Sequence, residues 1–377
     1  MDTLNLFAPL DKSNTVDVAV IGAGLTGLVC AQQLQQLGYG VVVLEKSRGL
    51  GGRVATRRLH NTWADHGVAY FTDEGEQTGA LVQNWRDRGI LHPWINQDFV
   101  WTDGRLHPGE VGSQRYVSPL GITAIAKDLS KALDIWRGQR VEAIAPTANH
   151  IWTFILAPVA GEPIRELTAR AVVITAPAPQ TAALLDPLRS QGVPADFFSA
   201  VQSVIYQANL TAIALYSPTR HAELEQVPWR SVRLNHPQLA WVVLDSSKQP
   251  NPPQPVMVLH GSAQIADRFL DATDLEPAGR LLLDSAATSL LPWLAEPDGL
   301  QLHRWRYALP QNPLSATCLS TTNPLPLVCG GDWCAASVPS QPAQTTLPLS
   351  AAGTSPIEQA LNSGIASAQA IHRLLKP

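Results

Sequence analysis

Apolar positions fall into short unbroken runs at both ends of the chain and into alternating runs in the middle. Val18-Ala-Val-Ile21 predicts a strand buried on both faces, and a helix follows at once, with Leu28, Ala31, Leu34 and Leu37 on one stripe. Val41-Val-Val-Leu44 predicts a second buried strand, ended by Glu45. Gln139 to Ile144 alternates as a half-buried strand does, and Ala171-Val-Val-Ile174 reads as another strand of the same parallel sheet. Its end is a small-residue, proline-rich turn, Thr175 to Pro179. Leu327-Val-Cys329 runs into Gly330, Gly331 and Asp332, and Pro356 opens a last helix whose apolar periodicity reaches Ile371. In between, Leu210 to Tyr216, Leu239 to Leu244 and Val256 to His260 alternate between proline-rich turns such as Pro250 to Pro255, which predicts an antiparallel sheet.

The pattern predicts an α/β protein with a Rossmann-type domain on a parallel sheet and a second domain with an antiparallel sheet and helices. At 377 residues the chain exceeds one simple core. The expected division is a flexible 1–14, a discontinuous nucleotide domain (15–75, 111–185 and 321–377), and a substrate domain (76–110 and 186–320). Residues 335–354, rich in Ser, Pro, Gln and Thr, form an expected insert whose composition favours disorder over an active-site lid.

The turn after the first strand reads Gly22-Ala-Gly24-Leu25-Thr26-Gly27. Gly22 permits the tight turn, Gly24 lets backbone approach a pyrophosphate, and Gly27 lets helix and strand pack closely. The pyrophosphate would then sit on free helix N–H groups. Glu45, about 20 residues on, would accept ribose hydroxyls and repel a 2′-phosphate, which favours an adenosine without one.

Charge and cysteine content narrow the setting. The formal net charge is −4 and no basic cluster stands out, so nucleic acid is not an expected partner. No run of 18 apolar residues and no basic-then-apolar leader is present, and a cytoplasmic location without a transmembrane segment is the expectation. Cys30, Cys318, Cys329 and Cys334 have neither Cys-x-x-Cys nor zinc-site spacing, so reduced thiols and no metal are expected. No Ser/His/Asp arrangement, His-Glu-x-x-His motif or internal repeat is found.

A second glycine cluster, Lys46-Ser-Arg48-Gly49-Leu50-Gly51-Gly52-Arg53, follows Glu45 directly. A nicotinamide dehydrogenase does not need it, whereas a longer dinucleotide does: the glycines allow close backbone approach and Arg53 offers a planar fork to phosphate. Asp65 to Thr72 adds Gly67, Ala69, Tyr70 and Phe71. With Ala176 to Gln180, His303 to Pro310 and Cys329 to Cys334, these segments resemble the two-domain flavoprotein superfamily of amine oxidases and, within it, the renalase-like family. The matches span most of the chain in family order.

The resemblance implies a non-covalent FAD cofactor in the Rossmann-type domain. It places FAD at Thr26, Glu45, Arg53, Ala69, Tyr70, Val141, whose backbone would meet the adenine, and Asp332. The wider expected set adds Gly22, Gly24, Leu25, Gly27, Lys46, Gly51, Gly52, Gly67, Ala176, Gly331, Glu358 and Ala360. The reaction it implies is oxidation of dihydronicotinamide dinucleotide isomers (2- or 6-dihydro-NAD(P)) to NAD(P)+, with oxygen reduced to hydrogen peroxide. In that chemistry the cofactor carries the electrons and the protein supplies alignment. The chain departs from the pattern at Ala69, where the family usually has glutamine, and in its long stretch after Asp332.

Candidate catalytic residues are His260, His303 and Tyr307. Either histidine could face the flavin or be structural, and Trp241, Trp305 and Tyr307 could stack on a planar ring or fill the core. Two further readings stay open: an amine oxidase or polyene desaturase-like enzyme on the same fold, and a non-catalytic flavin-binding protein that docks a partner through the 335–354 insert. The expected partner of the enzyme is a small molecule, with the oligomeric state open.

Overall fold

The structure, a computed structural model, describes residues 15–159, 166–335 and 355–376. Its first sheet runs Asp134–Arg137, Val41–Glu45, Thr15–Ile21 and Thr168–Ile174, all parallel, with Leu327–Cys329 joining parallel beside residues 172–174. The start of Thr168–Ile174 pairs antiparallel with Trp152–Leu156, which pairs in turn with Val141–Pro146. The apolar runs are unbroken because this sheet is covered on both faces.

Alternate residues of each strand serve opposite layers. Val18, Val20 and Val43 meet Leu28 and Leu34 of helix Leu25–Gln36 and Leu361 and Ile371 of helix Pro356–Leu375. Ala19, Val42 and Val172 meet Leu185, Phe197, Phe198 and Val201 on the other side. Leu37, expected on the buried stripe, is the C-cap of its helix and 47% exposed, because the helix stops one residue before it.

The second sheet runs Gly299–Pro310, Tyr206–Leu215, Val256–Gly261, Leu239–Leu244, Ser231–Leu234, Gln97–Thr102 and Arg105–Val111. It is antiparallel except where Ser231–Leu234 lies parallel to Gln97–Thr102. One face, with Leu210, Leu259, Val242 and Val232, is closed by Leu282, Leu283 and Ala286 of helix Glu276–Ser289. The opposite face, with Ile213, Trp241 and Val258, packs on Leu59, Ala64, Ala69 and Tyr70 of the first domain. A slip of one residue would exchange these faces, and each misplaced large apolar side chain would cost roughly 1.5–3 kcal/mol, so both cores fix the register.

The expected α/β class and the two kinds of sheet are present. Two of the expected segments distribute over more than one core. Segment 76–110 divides: Val82 and Trp85 of helix Glu76–Asp87 enter the first core, and only Gln97–Thr102 and the strand after it join the second sheet. Residues 186–204 pack under the first sheet through Leu188, Phe197, Phe198 and Val201, because their apolar side faces Ala19 and Ile174. Residues 1–14, and the expected insert apart from buried Ala335, lie outside the described residues.

Candidate active site

A cavity of about 1060 Å³ lies between the carboxyl ends of the parallel strands and the inner face of the second sheet. It exceeds the usual range of about 300–1,000 Å³ for small-molecule sites, and its place beyond the strand ends is where open α/β sheets hold ligands.

Its nucleotide end is built by the turn after Thr15–Ile21. A Cβ on Gly27 would stand 1.9 Å from the Gly22 carbonyl oxygen, so only glycine lets the helix start there. A Cβ on Gly24 would meet nothing within 4 Å; the turn is open on the side that faces the cavity. Helix Leu25–Gln36 has no side-chain cap and no acid in its first turn, and Leu25 and Thr26 line the cavity. The N–H groups of the first turn are thus available to an anion. Glu45 is buried and accepts from the Ala23 N–H (2.8 Å) and the Ser47 N–H (2.7 Å), which aims its carboxylate across the turn with lone pairs to spare. Val141 and Lys46 line the same end. An open turn, uncapped N–H groups and a fixed carboxylate fit the pyrophosphate and ribose of a dinucleotide.

The middle of the cavity is held by Arg53. Its Nη1 and Nη2 donate to the two oxygens of Asp332 at 2.6 Å each, and Nη1 donates to the Ala308 carbonyl at 2.9 Å. Ala308 lies where the pairing of Gly299–Pro310 shifts, from Trp305 opposite Asn209 to Leu309 opposite Gln207. That bulge turns Arg306, Tyr307 and Ala308 along the cavity wall.

The far end rests on a row of side chains crossing five strands of the second sheet, of which His260 and Trp241 line the cavity. His303 pairs with Thr211, Thr211 with His260, His260 with Trp241 and Trp241 with Arg233, so all five share one face. His260 stacks on Trp241 with ring centres 5.0 Å apart. Trp305, two positions from His303, donates its indole N–H to the His66 carbonyl at 2.9 Å. His66 lies edge to face with His303 at 4.9 Å. His66 and His260 are each 5% exposed and Asn209 is 9% exposed, and all three line the cavity. His66 Nδ1, His260 Nε2 and Asn209 Oδ1 have no hydrogen-bond partner among the described residues. Buried polar atoms are almost always paired, so three orphans on residues that line one cavity call for a partner outside the described residues. Burial, with the charges of His303 and Arg57, holds His66 down to about 3. Burial, with Lys248, His66 and Arg233, does the same for His260.

Most of the expected residues converge here. Gly22, Gly24, Leu25, Thr26, Glu45, Lys46, Gly51, Gly52, Arg53, Gly67, Val141, Ala176, Gly331, Asp332, Ala360, His260 and Tyr307 all line the cavity. The expected Arg53 fork is not free for phosphate, since Asp332 takes it. Thr26 Oγ1 donates to the Ala360 carbonyl at 2.9 Å and ties the first helix to the last. Glu358 faces the other way and accepts from the N–H and hydroxyl of Thr78, at 2.7 and 2.6 Å, holding the start of helix Glu76–Asp87. Gly27 lies under the turn, Ala69 and Tyr70 lie in the core between the domains, and His303 stands behind His66 and Trp305; none of the four lines the cavity. Sequence reasoning does not single out His66 and Asn209. His66 stands inside the Asp65 to Thr72 segment, which could have drawn notice to it, and Asn209 is a lone amide in an apolar strand.

Burial raises the Cys30, Cys329 and Cys334 thiols above their ordinary range, so they stand as protonated core residues. Among the described residues no cluster of His, Cys, Asp and Glu could hold a metal, and no helix is long and apolar enough to cross a membrane.

Residues 20–85 match the family of NAD(P)-binding Rossmann-like domains. A flavin-dependent L-tryptophan oxidase, RebO of Lentzea aerocolonigenes, is 56% identical over 42 residues, which are 11% of this chain and 9% of that protein. The chain spans 7%, 21% and 9% of the length of three curated relatives that it matches. Solved structures align over nearly the whole chain. Putrescine oxidase bound to putrescine has 13% identity and a TM-score of 0.67 over 95% of this chain and 99% of its own. Cyclohexylamine oxidase from Brevibacterium oxydans IH-35A has 14% identity and a TM-score of 0.63 over 96% and 100%. The chain thus matches the family of NAD(P)-binding Rossmann-like domains over residues 20–85 and shares, over nearly its whole length, the fold of putrescine oxidase and cyclohexylamine oxidase.

Proposed function

We propose that this protein is an FAD-dependent oxidase of dihydronicotinamide dinucleotide isomers, 2- or 6-dihydro-NAD(P), which leave as NAD(P)+. When bound, FAD would supply a two-electron acceptor for the substrate's hydride; molecular oxygen would then take the two electrons together with that hydrogen and one proton from solvent, giving hydrogen peroxide. Gly24, the first turn of helix Leu25–Gln36 and Glu45 would hold the cofactor's nucleotide end, with Arg53 and Asp332 bracing the wall beside its middle.

The observation that carries the substrate reading is the wall formed by His66, Asn209 and His260, with the indoles of Trp241 and Trp305 beside it. Two imidazoles held near 3 are neutral at ordinary pH, and with an amide oxygen they offer hydrogen bonds to an uncharged carboxamide. Flat indoles suit a flat ring. Among the described residues the carboxylates lining the cavity are Glu45, Glu142 and Asp332, and Arg53 neutralises the last, so none of these residues gives the His66 wall a free acid to hold an alkylammonium. Imidazoles held this low are also weak bases. A dihydronicotinamide gives up a hydride with no proton to remove, whereas an ammonium substrate must first lose one.

Amine oxidation is the competing reading, favoured by the likeness to putrescine oxidase and cyclohexylamine oxidase. Peroxide release from the purified flavoprotein separates the two. The expected result is peroxide with 2- or 6-dihydro-NAD(P) and none with putrescine or cyclohexylamine; the reverse pattern overturns the assignment.

A further inference from the structure

Behind the cavity wall lies a charged cluster that the proposed reaction does not itself call for. Asp98 receives a bidentate pair from Arg115, at 2.6 and 2.7 Å, and a third bond from Arg233 Nε at 2.7 Å. Asp98 and Arg115 are buried, and Arg233 nearly so. A buried ionic cluster is seldom the most stable filling for a core, since apolar side chains of similar volume do as well or better. Its geometry shows a different use. The hydroxyl of Ser231 donates to Asp98 Oδ1, and the indole N–H of Trp241 donates to that same Ser231 oxygen at 2.7 Å. Asp98 makes Ser231 a donor, which leaves the Ser231 oxygen as the acceptor that fixes the indole's rotation.

The indole in turn orients His260. The two rings are stacked within 20° of parallel, while the imidazole's other tether, Thr211 Oγ1 at 3.3 Å from Nδ1, is long. The guanidinium of Arg233 sits 5.2 Å from the centre of the Trp241 ring, which adds a cation–π hold. We propose that Asp98 is a positioning residue for the reaction, acting through Ser231 on the plane of Trp241 and, through that plane, on the orientation of the His260 ring at the cavity wall. The inference rests on the assignment of Trp241 and His260 to the substrate wall.

Ser231→Ala cuts the relay at its one hydroxyl and leaves the Asp98 ion pairs whole; Ser231→Thr restores the hydroxyl. The test uses the flavin-loaded protein with nitrogen-labelled tryptophan, the Trp241 indole N–H signal being identified by its loss in Trp241→Phe. In the wild type and Ser231→Thr this signal is protected from solvent exchange; in Ser231→Ala it moves and loses protection. KM for the dihydronicotinamide substrate rises about fivefold in Ser231→Ala, the worth of one lost hydrogen bond, with a smaller fall in kcat. Asp98→Asn, if it folds, moves the signal in the same sense. An indole signal and KM unchanged in Ser231→Ala overturn the proposal, as does a loss of thermal stability and kcat with KM intact. An indole signal that depends on Ser231 in a protein that ignores dihydronicotinamides supports the relay and overturns the assigned reaction.

Discussion

Arg53 and Asp332 bind each other through two 2.6 Å hydrogen bonds, one to each carboxylate oxygen. The pair joins the loop after Val41–Glu45 to the end of Leu327–Cys329, and the extra bond to the Ala308 carbonyl brings in the second sheet. Three segments far apart in the chain are thus closed around the cavity by one guanidinium.

Asp332→Asn keeps the shape of that junction and removes its charge. Breaking a fully buried pair costs about 3–5 kcal/mol, and because the Arg53 side chain is 31% exposed the expected loss is lower, about 2 kcal/mol. A thermal melt should fall by several degrees, and the ratio of bound flavin to protein after gel filtration should fall with it. A melt equal to wild type means that the pair is not the clasp described.

Gly24 and Gly27 should answer alanine in opposite ways. Gly27→Ala puts a methyl group 1.9 Å from the Gly22 carbonyl oxygen and should yield little folded protein. Gly24→Ala meets no protein atom within 4 Å, so the chain should fold with a near wild-type melt and fail to take up FAD. Full flavin occupancy in Gly24→Ala would place the cofactor elsewhere.

Glu45→Gln replaces an acceptor-only group that takes the Ala23 and Ser47 N–H groups. An amide can no longer accept on both sides. The loss of one charge-assisted bond, about 1.5–3 kcal/mol, should weaken flavin retention roughly tenfold or more, as measured by titration of the apoprotein.

The two depressed histidines set a pH dependence. His66 and His260 are held near 3, against about 6.5 in the unfolded chain, so between those values the unfolded state binds more protons. Their contribution is complete above pH 6.5 and is lost as pH falls toward 3. Denaturant melts should show wild-type stability dropping below pH 6.5 more steeply than in a His66→Asn, His260→Asn double variant. The kcat/KM profile should show no histidine titration near 6.5; a clear limb there would mean that one imidazole takes a proton in the working site.

Much of the nucleotide end is legible in the chain itself. Val18 to Ile21, Val41 to Leu44 and Ala171 to Ile174 are apolar at every position, as strands of a sheet covered on both faces are, and Gly22 to Gly27 follows the first of them without a gap. The far wall is not legible in the same way. His303, Thr211, His260, Trp241 and Arg233 become neighbours through four pairings between strands, and pairing leaves no local mark in a sequence. The domain boundary is hidden for a related reason. Leu188, Phe197 and Val201 are as apolar as any core side chain, and which core they enter depends on the direction of the chain after Leu185. Arg53 reads as a phosphate ligand because its fork suits phosphate and carboxylate alike, and the carboxylate of Asp332 lies in a distant segment.

The sharpest test of dihydronicotinamide oxidation is anaerobic rapid mixing of the flavin-loaded protein with 2- or 6-dihydro-NAD(P). The expected result is loss of the visible flavin absorbance within seconds, release of NAD(P)+ in equal amount, and return of the absorbance with peroxide when oxygen is admitted. A spectrum that stays oxidised with both isomers and bleaches instead with putrescine or cyclohexylamine would contradict it.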